Sequence, residues 1–161
     1  MTHGETGRHA VPPDGTALFR CIEGSFRSLV GLDLVPLDGN EDSRERWLYE
    51  QAPFGILAHD GGSDPRFVYA NRTAQRCFEY SWDEIVGMPS RLSAGPDGQT
   101  DRDRLLDDTR RQGFTDDYRG VRVAASGRRF WIEGVLMWNL LDPDGHRCGQ
   151  AALIRQWRDV T

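Results

Sequence analysis

The chain has 161 residues, of which 38% are hydrophobic and 28% charged, and its formal net charge is −5. This length and composition predict one soluble globular domain, and the excess of acids disfavours direct nucleic-acid binding. The sequence has no apolar run long enough to cross a bilayer and no signal-peptide core, so we expect a cytoplasmic protein without a membrane partner. Three widely spaced cysteines, Cys21, Cys77 and Cys148, predict a reducing compartment rather than a disulfide framework.

The N-terminal third of the chain predicts a tail followed by two helices. Residues 1–15 lack an apolar period and predict a disordered tail, whereas residues 16–51 predict a helical segment. The first helix is amphipathic and is expected to end at Gly31. Ser43 is the predicted N-cap of the second helix. An isolated helix of this length is marginal in water, so we expect the first helix to dock on the rest of the chain.

The remaining residues, 52–161, predict an antiparallel sheet with helices inserted in its middle. FGILAH at residues 54–59 and FVYA at residues 67–70 read as a hairpin, and residues 101–112 form the clearest helix. Three long strands are expected between residues 118 and 157. The order predicts an α+β fold, with a five-stranded antiparallel sheet, helices on one face and an N-terminal amphipathic helix.

Residues 130–141 are rich in aromatic and β-branched types and predict the longest strand. Because side chains alternate along a strand, Trp138 is predicted to share the core-facing side with Ile132. The opposite side is half apolar, so we expect the N-terminal helix to cover it, within the chain or across a dimer. The apolar residues of that opposite side are Trp131, Val135 and Met137.

Polar residues interrupt the two central strands. Buried, they would need partners, so one interpretation is a pocket in which Arg129 and Glu133 fix a polar ligand. The favoured alternative is an outward ion pair, because Arg129 and Glu133 are four residues apart and share one face of a strand. Asn139 and Gln150 are the other two interruptions.

Several motifs in register resemble one family. FVYANRTAQRCFEYSWDEIVG resembles the second strand and helices of a PAS domain, and the closing RDVT resembles the D-[IV]-T that ends many PAS domains. A closer resemblance is to the MEKHLA family, a PAS-related group that includes small stand-alone bacterial proteins. The motifs similar to that family lie between about residues 52 and 157, and residues 19–37 also resemble its bacterial members. They are APFGILAHD, DPRFVYANRTAQRCFEYSWDE, PSRLSA, YRGVRVAASGRRFWIEGVLMWNLLDPDG and GQAALIRQW.

The resemblance implies a sensing or interaction role and leaves the cofactor unknown. Light-oxygen-voltage photosensors, which are PAS relatives, use a reactive cysteine and polar strand residues to hold flavin. Here Ser90 stands at the cysteine position, and Ile132 and Trp157 stand at the polar positions, so flavin photochemistry is not expected. Haem-binding relatives usually carry an axial histidine on the long helix. Residues 101–112 contain none, which leaves Cys77 as a weak candidate ligand.

We therefore expect a sensory or interaction module that binds a small ligand, associates with itself as a homodimer, or both. One alternative is a small enzyme that uses the same cavity, with haem as a candidate cofactor. The other is a dimerisation domain with a filled core. No metal-ligand spacing is present in the sequence. The candidate ligand-binding residues are Tyr69, Asn71, Ser90, Arg91, Arg129, Glu133, Trp138, Asn139, Gln150 and Trp157.

Overall fold

Five α-helices and six β-strands make up residues 15–161, the part of the chain that the computed structural model describes. Two short 3-10 helices, Ser90–Ser93 and Pro96–Gly98, precede the last α-helix. The α-helices are α1 (Gly15–Val30), α2 (Glu41–Glu50), α3 (Arg72–Phe78), α4 (Trp82–Ile85) and α5 (Gln99–Gln112). The strands are β1 (Gly55–Asp60), β2 (Phe67–Ala70), β3 (Phe114–Val123), β4 (Arg129–Leu141), β5 (Arg147–Ile154) and β6 (Gln156–Asp159).

The strands form one antiparallel sheet in the order β2-β1-β5-β4-β3, and β6 pairs with the first half of β4. The α+β fold with helices between the second and third strands is confirmed. The sequence predicted five strands, and the sixth arises because the segment from Cys148 to Trp157 divides at Arg155. The chain leaves β5 there and returns alongside β4 as β6.

Strand β4 changes face at Gly134, and this makes the predicted alternation wrong for its second half. Gly134 has a positive φ of 59°, which favours glycine. Ile132 pairs with Gly120 on β3, and Val135 pairs with Tyr118. Three residues along β4 are therefore matched by only two along β3. One extra residue in a strand exchanges its two faces. Val135 therefore lies on the same inner face as Ile132, and the residues after it alternate from that point.

Helix α1 covers the outer face of the sheet, as expected, within the same chain. The indole Nε1 of Trp138 donates a hydrogen bond to the carbonyl of Ile22 on α1 at 3.2 Å. The Phe26 ring meets the same indole edge to face, with centroids 4.9 Å apart. The residues predicted to lie beneath the helix were wrong because of the shift at Gly134. The β4 residues in this outer cluster are Leu136, Trp138 and Leu140.

Helices α1 and α2 are joined to each other and belong to the same outer core. The buried carboxylate of Glu23 on α1 pairs with both terminal nitrogens of Arg44 on α2, with one contact at 2.8 Å. The cap of α2 is Asn40 rather than Ser43, since the Asn40 side chain accepts from the Ser43 amide at 2.8 Å. Gly31, with φ of 82°, follows the last residue of α1 as predicted.

The predicted tail, residues 1–15, falls almost wholly outside the described residues, and Gly15 is the first residue of α1. Residues 16–51 contain α1 and α2, and both contribute buried side chains to one cluster with the sheet. Within residues 15–161, none of the helices combines the length and apolar character that a membrane span requires.

Candidate functional site

A small cavity lies between the inner face of the sheet and the helices inserted between β2 and β3. Its volume is about 40 Å³, which is room for about three water molecules. Most of its wall is apolar, so the cavity is a pocket with few polar groups. The apolar lining residues are Leu57, Phe67, Phe78, Leu105, Leu106, Ile132, Val135, Met137, Ala152 and Ile154.

Three basic side chains interrupt this apolar wall: His59 on β1, Arg102 on α5 and Arg122 on β3. They are 5%, 6% and 6% exposed, respectively. Among the described residues the lining contains no Asp or Glu, and its other polar members are Ser90 and Ser93. Buried charges without a counter-charge are costly, so this imbalance is unusual for a purely structural core.

Arg102 reaches the cavity because it lies three residues before Leu105 on the buried side of α5. Its Nη2 donates a short hydrogen bond to the Ser90 hydroxyl. Its Nη1 contacts the Asp103 carboxylate at 3.3 Å, but that carboxylate is 70% exposed. Burial, together with the nearby charge of Arg122, lowers the pKa of Arg102. The guanidinium nonetheless stays charged at neutral pH.

Arg122 enters from β3, where it is opposite Phe130 on the inner face. Its Nη1 donates to the Tyr118 hydroxyl at 3.3 Å and to the Val121 carbonyl at 3.0 Å. A guanidinium has five N–H donors, so these bonds leave donors for another acceptor. The Tyr118 hydroxyl occupies space that a side chain at residue 120 would need, because a Cβ on Gly120 would lie 2.2 Å from it.

His59 presents an unpaired ring nitrogen. Its Nδ1 lies 2.8 Å from the Asp60 carbonyl, which can only accept, so Nδ1 carries the proton. Its Nε2 is buried and has no hydrogen-bond partner within the described part of the chain. Burial, helped by the charges of Arg102 and Arg147 and opposed by Asp60, lowers the pKa of His59 to about 4. At neutral pH the imidazole is uncharged, and Nε2 is an acceptor.

These groups give the cavity two kinds of polar recognition. The guanidinium groups of Arg102 and Arg122 donate and carry positive charge, whereas His59 Nε2 accepts. The Ser90 hydroxyl receives its hydrogen bond from Arg102, which is a cation rather than a base. That contact does not activate the hydroxyl as a nucleophile.

Of the ten residues predicted to bind a ligand, Ser90 lies in the cavity wall and its sequence neighbour Arg91 does not. Arg91 points to the surface, where its Nε contacts the Asp64 carboxylate at 3.2 Å. The 3-10 turn that holds both residues places them on opposite sides, so adjacent positions have unrelated roles.

Arg129 and Glu133 both lie at the surface, but they do not pair with each other. Arg129 pairs with Asp97 in the 3-10 helix Pro96–Gly98. Glu133 pairs with Arg119 at 2.8 Å and with Arg158 at 3.0 Å. Hydrogen bonds from Arg158 and Arg119 lower the pKa of the Glu133 carboxyl. The strand therefore carries its charged residues outward, in ion pairs with neighbouring strands and helices.

Tyr69 and Trp138 lie in the outer cluster beneath α1 and α2, away from the cavity. The Tyr69 ring meets the rings of Tyr49 and Trp82 edge to face, at 6.2 and 5.8 Å between centroids. Its buried hydroxyl has no partner among the described residues, and burial raises its pKa. Trp138, by contrast, is anchored through its indole nitrogen to α1.

The Asn71 side chain binds four backbone groups of the chain. Its side-chain oxygen accepts from the amides of Ile56 at 2.9 Å and Ala74 at 3.0 Å, so it caps α3 as its position predicts. Its side-chain nitrogen donates to the carbonyls of Leu48 and Phe54, both at 3.0 Å. All of these partners are backbone groups of the same chain, which gives Asn71 a structural role.

Asn139 and Gln150 lie on the inner face, but they tie α5 to the sheet instead of lining the cavity. The Gln150 amide donates to the carbonyl of Leu106 at 3.0 Å and to the Asn139 side chain at 3.2 Å. The Asn139 amide donates to the carbonyl of Arg110 at 3.3 Å. Trp157 on β6 is half-buried against the inner cluster.

The three basic residues of the cavity, His59, Arg102 and Arg122, are not among the ligand-binding residues predicted from the sequence. Arg102 was recognisable, since it falls at an apolar position of α5, three residues before Leu105 and seven before Thr109. Arg122 lies two residues after Gly120, and both are on the inner side of β3. No local pattern indicates that these residues meet, because they come from separate elements.

The residues of the cavity do not fit a flavin or a haem. Ser90 supplies a hydroxyl already bonded by Arg102, and Ile132 has no hydrogen-bonding group for the polar edge of a flavin. The indole of Trp157 can donate but not accept a hydrogen bond, and Trp157 is not among the residues that line the cavity. A volume of about 40 Å³ is far below the several hundred Å³ of a pocket for a large ligand. Cys77 is buried, and burial raises its pKa to about 12, which disfavours a thiolate ligand.

Solved structures with the same fold are PAS and light-oxygen-voltage (LOV) domains. The PAS domain of a protein from Colwellia psychrerythraea superimposes with a TM-score of 0.63 at 15% identity over 76% of this chain and 98% of that chain. The LOV domain of the blue-light activated histidine kinase EL346 from Erythrobacter litoralis gives 0.55 at 22% identity, over 68% and 98%. An RNA-binding light-oxygen-voltage receptor gives 0.63 at 20% identity, over 81% of this chain and 37% of that chain.

At these identities the likeness shows the fold alone. A comparison with curated proteins finds no match. The family model of the MEKHLA domain matches residues 16–159, which include every strand, α2 and all of α1 except its first residue. The chain therefore belongs to the MEKHLA domain family and has the fold of PAS-like sensory domains.

Proposed function

We propose that this chain is a PAS-like sensory module whose inner cavity binds a small ligand. The observation that carries the proposal is the set of three basic side chains in an otherwise apolar cavity, one of which has an unpaired buried nitrogen. Buried polar groups in folded proteins are nearly always paired, so an unpaired acceptor beside two buried cations favours an external partner.

Strand β4 supplies a direct route from this cavity to α1. Met137 lines the cavity, and the next residue, Trp138, lies on the other face beneath the helix. Neighbouring side chains of a strand point to opposite faces, so a shift of β4 on ligand binding would change both contacts. The hydrogen bond from Trp138 to Ile22 would report such a shift at α1.

Self-association is not part of this proposal. A homodimer was expected because an apolar sheet face needed a cover, and α1 covers that face within its own chain. The large apolar side chains exposed among the described residues are Leu32 and Leu92, which are far apart in sequence. The homodimer remains a prediction, and the molar mass in solution tests it.

Mass spectrometry of the purified full chain tests the proposal. The expected result is a small molecule that stays with the native protein and is released on denaturation. Ala152 lines the cavity, so Ala152→Leu should fill it and abolish this bound mass while the protein remains folded by circular dichroism. If the wild-type protein carries no ligand and its melting temperature responds to none in a metabolite screen, the proposal is wrong.

An absorption spectrum of the same sample separates the alternatives. A Soret or flavin band would favour a cofactor enzyme or a photosensor instead of this proposal. A colourless protein that carries a bound small molecule supports it. A colourless protein without any ligand, at twice the chain mass, would favour a dimerisation domain.

A further inference from the structure

We infer that the cavity ligand is a small oxyanion that also carries a hydroxyl group, and that short 2-hydroxy monocarboxylates are the class that fits. The inference rests on the proposed function, since it names the ligand of the same cavity. It follows from three properties of the cavity: its charge, its unpaired acceptor and its size.

The charge of the cavity requires an anion. Arg102 and Arg122 are both buried, and each is close enough to the other for their charges to interact. The carboxylate that contacts Arg102 belongs to exposed Asp103, and within residues 15–161 no carboxylate pairs with Arg122. Guanidinium groups bind carboxylates through parallel N–H donors, so a ligand carboxylate would neutralise the pair.

The unpaired acceptor favours a ligand that also carries a donor. His59 Nδ1 holds its proton against the Asp60 carbonyl, which leaves a lone pair on Nε2. A simple carboxylate has acceptors alone, and its oxygen would face this lone pair without a hydrogen between them. A hydroxyl on the adjacent carbon donates to Nε2 while the carboxylate accepts from the arginines.

The size and the wall restrict the rest of the molecule. About three waters fit in the cavity as it stands, so a ligand with five or six heavy atoms needs a small expansion of the wall and larger molecules are excluded. Ile132 and Met137 line the remaining wall, and a methionine side chain adapts to small changes of shape. With a small movement of Met137, a 2-hydroxy monocarboxylate such as glycolate or lactate places its charged group, its hydroxyl and a small apolar group in the cavity.

Calorimetric titration of the full chain at constant ionic strength tests this ligand class. Four probes are compared: sodium lactate, propionate without the hydroxyl, lactamide without the charge, and bicarbonate as an inorganic oxyanion with a hydroxyl. We expect lactate to bind about tenfold more tightly than propionate, because a buried hydrogen bond contributes a factor of this order. Lactamide should show no binding, and bicarbonate should bind more weakly than lactate.

Variants assign the two parts of the recognition. Arg122→Met should abolish lactate binding, while Arg104→Met, an exposed arginine on α5, should leave it unchanged. His59→Leu should remove the preference for lactate over propionate. The comparison of ligands on the wild-type protein stands even where a variant does not fold.

The failures are distinguishable. Equal binding of lactate and propionate, or tighter binding of bicarbonate, would overturn the 2-hydroxy monocarboxylate class while the cavity remains a ligand site. Binding of a neutral co-purified molecule instead of any anion would overturn this inference and support the proposed function. A protein that binds none of these probes and carries no small molecule would overturn both.

Discussion

The two faces of the same sheet are buried in different ways. On the outer face, α1 packs aromatic and aliphatic side chains against β4, and the indole nitrogen of Trp138 is paired with Ile22 of the same chain. On the inner face, Arg102 and Arg122 approach a cavity in which His59 has an unpaired nitrogen. The outer face is filled by side chains of the same chain, and the Tyr69 hydroxyl is a buried group there without a hydrogen-bond partner among the described residues. The inner face has polar groups that the described residues leave available to a ligand.

Gly134 produces this difference within one strand. Before it, inner residues such as Ile132 have even numbers, and after it Val135 and Met137 take the inner side. The partner of β4 also changes there, from β6 to β5. The face exchange places a large indole, Trp138, beneath α1 and leaves the cavity wall to smaller and more flexible side chains. Strand β4 therefore packs in a filled core on its outer side and lines the cavity on its inner side.

The largest expected effect is the loss of packing between α1 and the outer face of the sheet. Phe26→Asp places a carboxylate beneath α1, where Phe26 is buried against Trp138. We expect it to cost more than about 5 kcal/mol of unfolding free energy, since it combines a lost aromatic side chain with a buried charge. That is comparable with the total stability of a small domain, so aggregation or unfolding should follow. Thermal melting and light scattering measure both.

Ser28→Asp is the matched control, because Ser28 is exposed on the same helix and receives the same charge. A melting temperature that differs little between the two variants would mean that α1 is not attached through Phe26. Deletion of residues 1–31 should have the same consequence as Phe26→Asp.

The second prediction compares the stability lost on substitution of one residue on each face of β4. Trp138→Ala should cost about 3–5 kcal/mol, because it leaves a large cavity under α1. Asn139→Ala, on the inner face, should cost about 1–2 kcal/mol, since it removes side-chain hydrogen bonds to Arg110 and Gln150. Chemical denaturation gives both values. Equal losses would contradict the assignment of the two residues to differently packed faces.

The sequence predicts most of the fold because helix ends and strand motifs depend on residues that are neighbours in the chain. Gly31 stands at the helix end that it predicts, and the motifs of β1, β2 and α3 follow one another as in PAS domains. The face exchange at Gly134 was missed, although an isolated glycine inside a strand is a signal for a bulge. A strict alternation was assumed through it, so every later residue of β4 was assigned to the wrong side.

The candidate site was less predictable because its residues come from distant segments. Arg102 and Arg122 lie on α5 and β3, and His59 comes from β1. Polar residues inside strands predict candidate ligand contacts, but Glu133 points outward and Asn139 pairs within the chain. A polar residue in a strand indicates burial only when its face is known, and the face depends on the register at Gly134.

A third effect is specific to the inner face and depends on pH. The pKa of His59 is lowered to about 4 in the folded chain from its ordinary 6.5. The unfolded chain therefore binds more protons below pH 6.5, and the stability that neutral His59 contributes is present above that value and is lost as the pH falls towards 4. We expect the loss to reach ~2 kcal/mol near pH 5.

The measurement compares wild type with His59→Gln by chemical denaturation at pH 7 and pH 5. Gln does not titrate, so the stability of the variant relative to wild type should rise by this amount at the lower pH. Identical pH profiles for the two proteins would mean that His59 is not held in an uncharged state by its burial.

The smallest expected effect comes from two arginines on neighbouring strands. Arg122 lies in the cavity, and Arg129 lies at the surface. Arg122 is buried at the cavity without a carboxylate partner among the described residues, whereas Arg129 is exposed and pairs with Asp97. Replacing a buried charge by an apolar side chain of similar length is often stabilising, so Arg122→Met should raise the unfolding free energy by about 1–2 kcal/mol without ligand. Arg129→Met should change it by less than ~1 kcal/mol, as exposed ion pairs do. A large loss of stability in Arg122→Met would show that its hydrogen bonds to Tyr118 and Val121 make it a structural residue, and the inner face would then resemble the outer one.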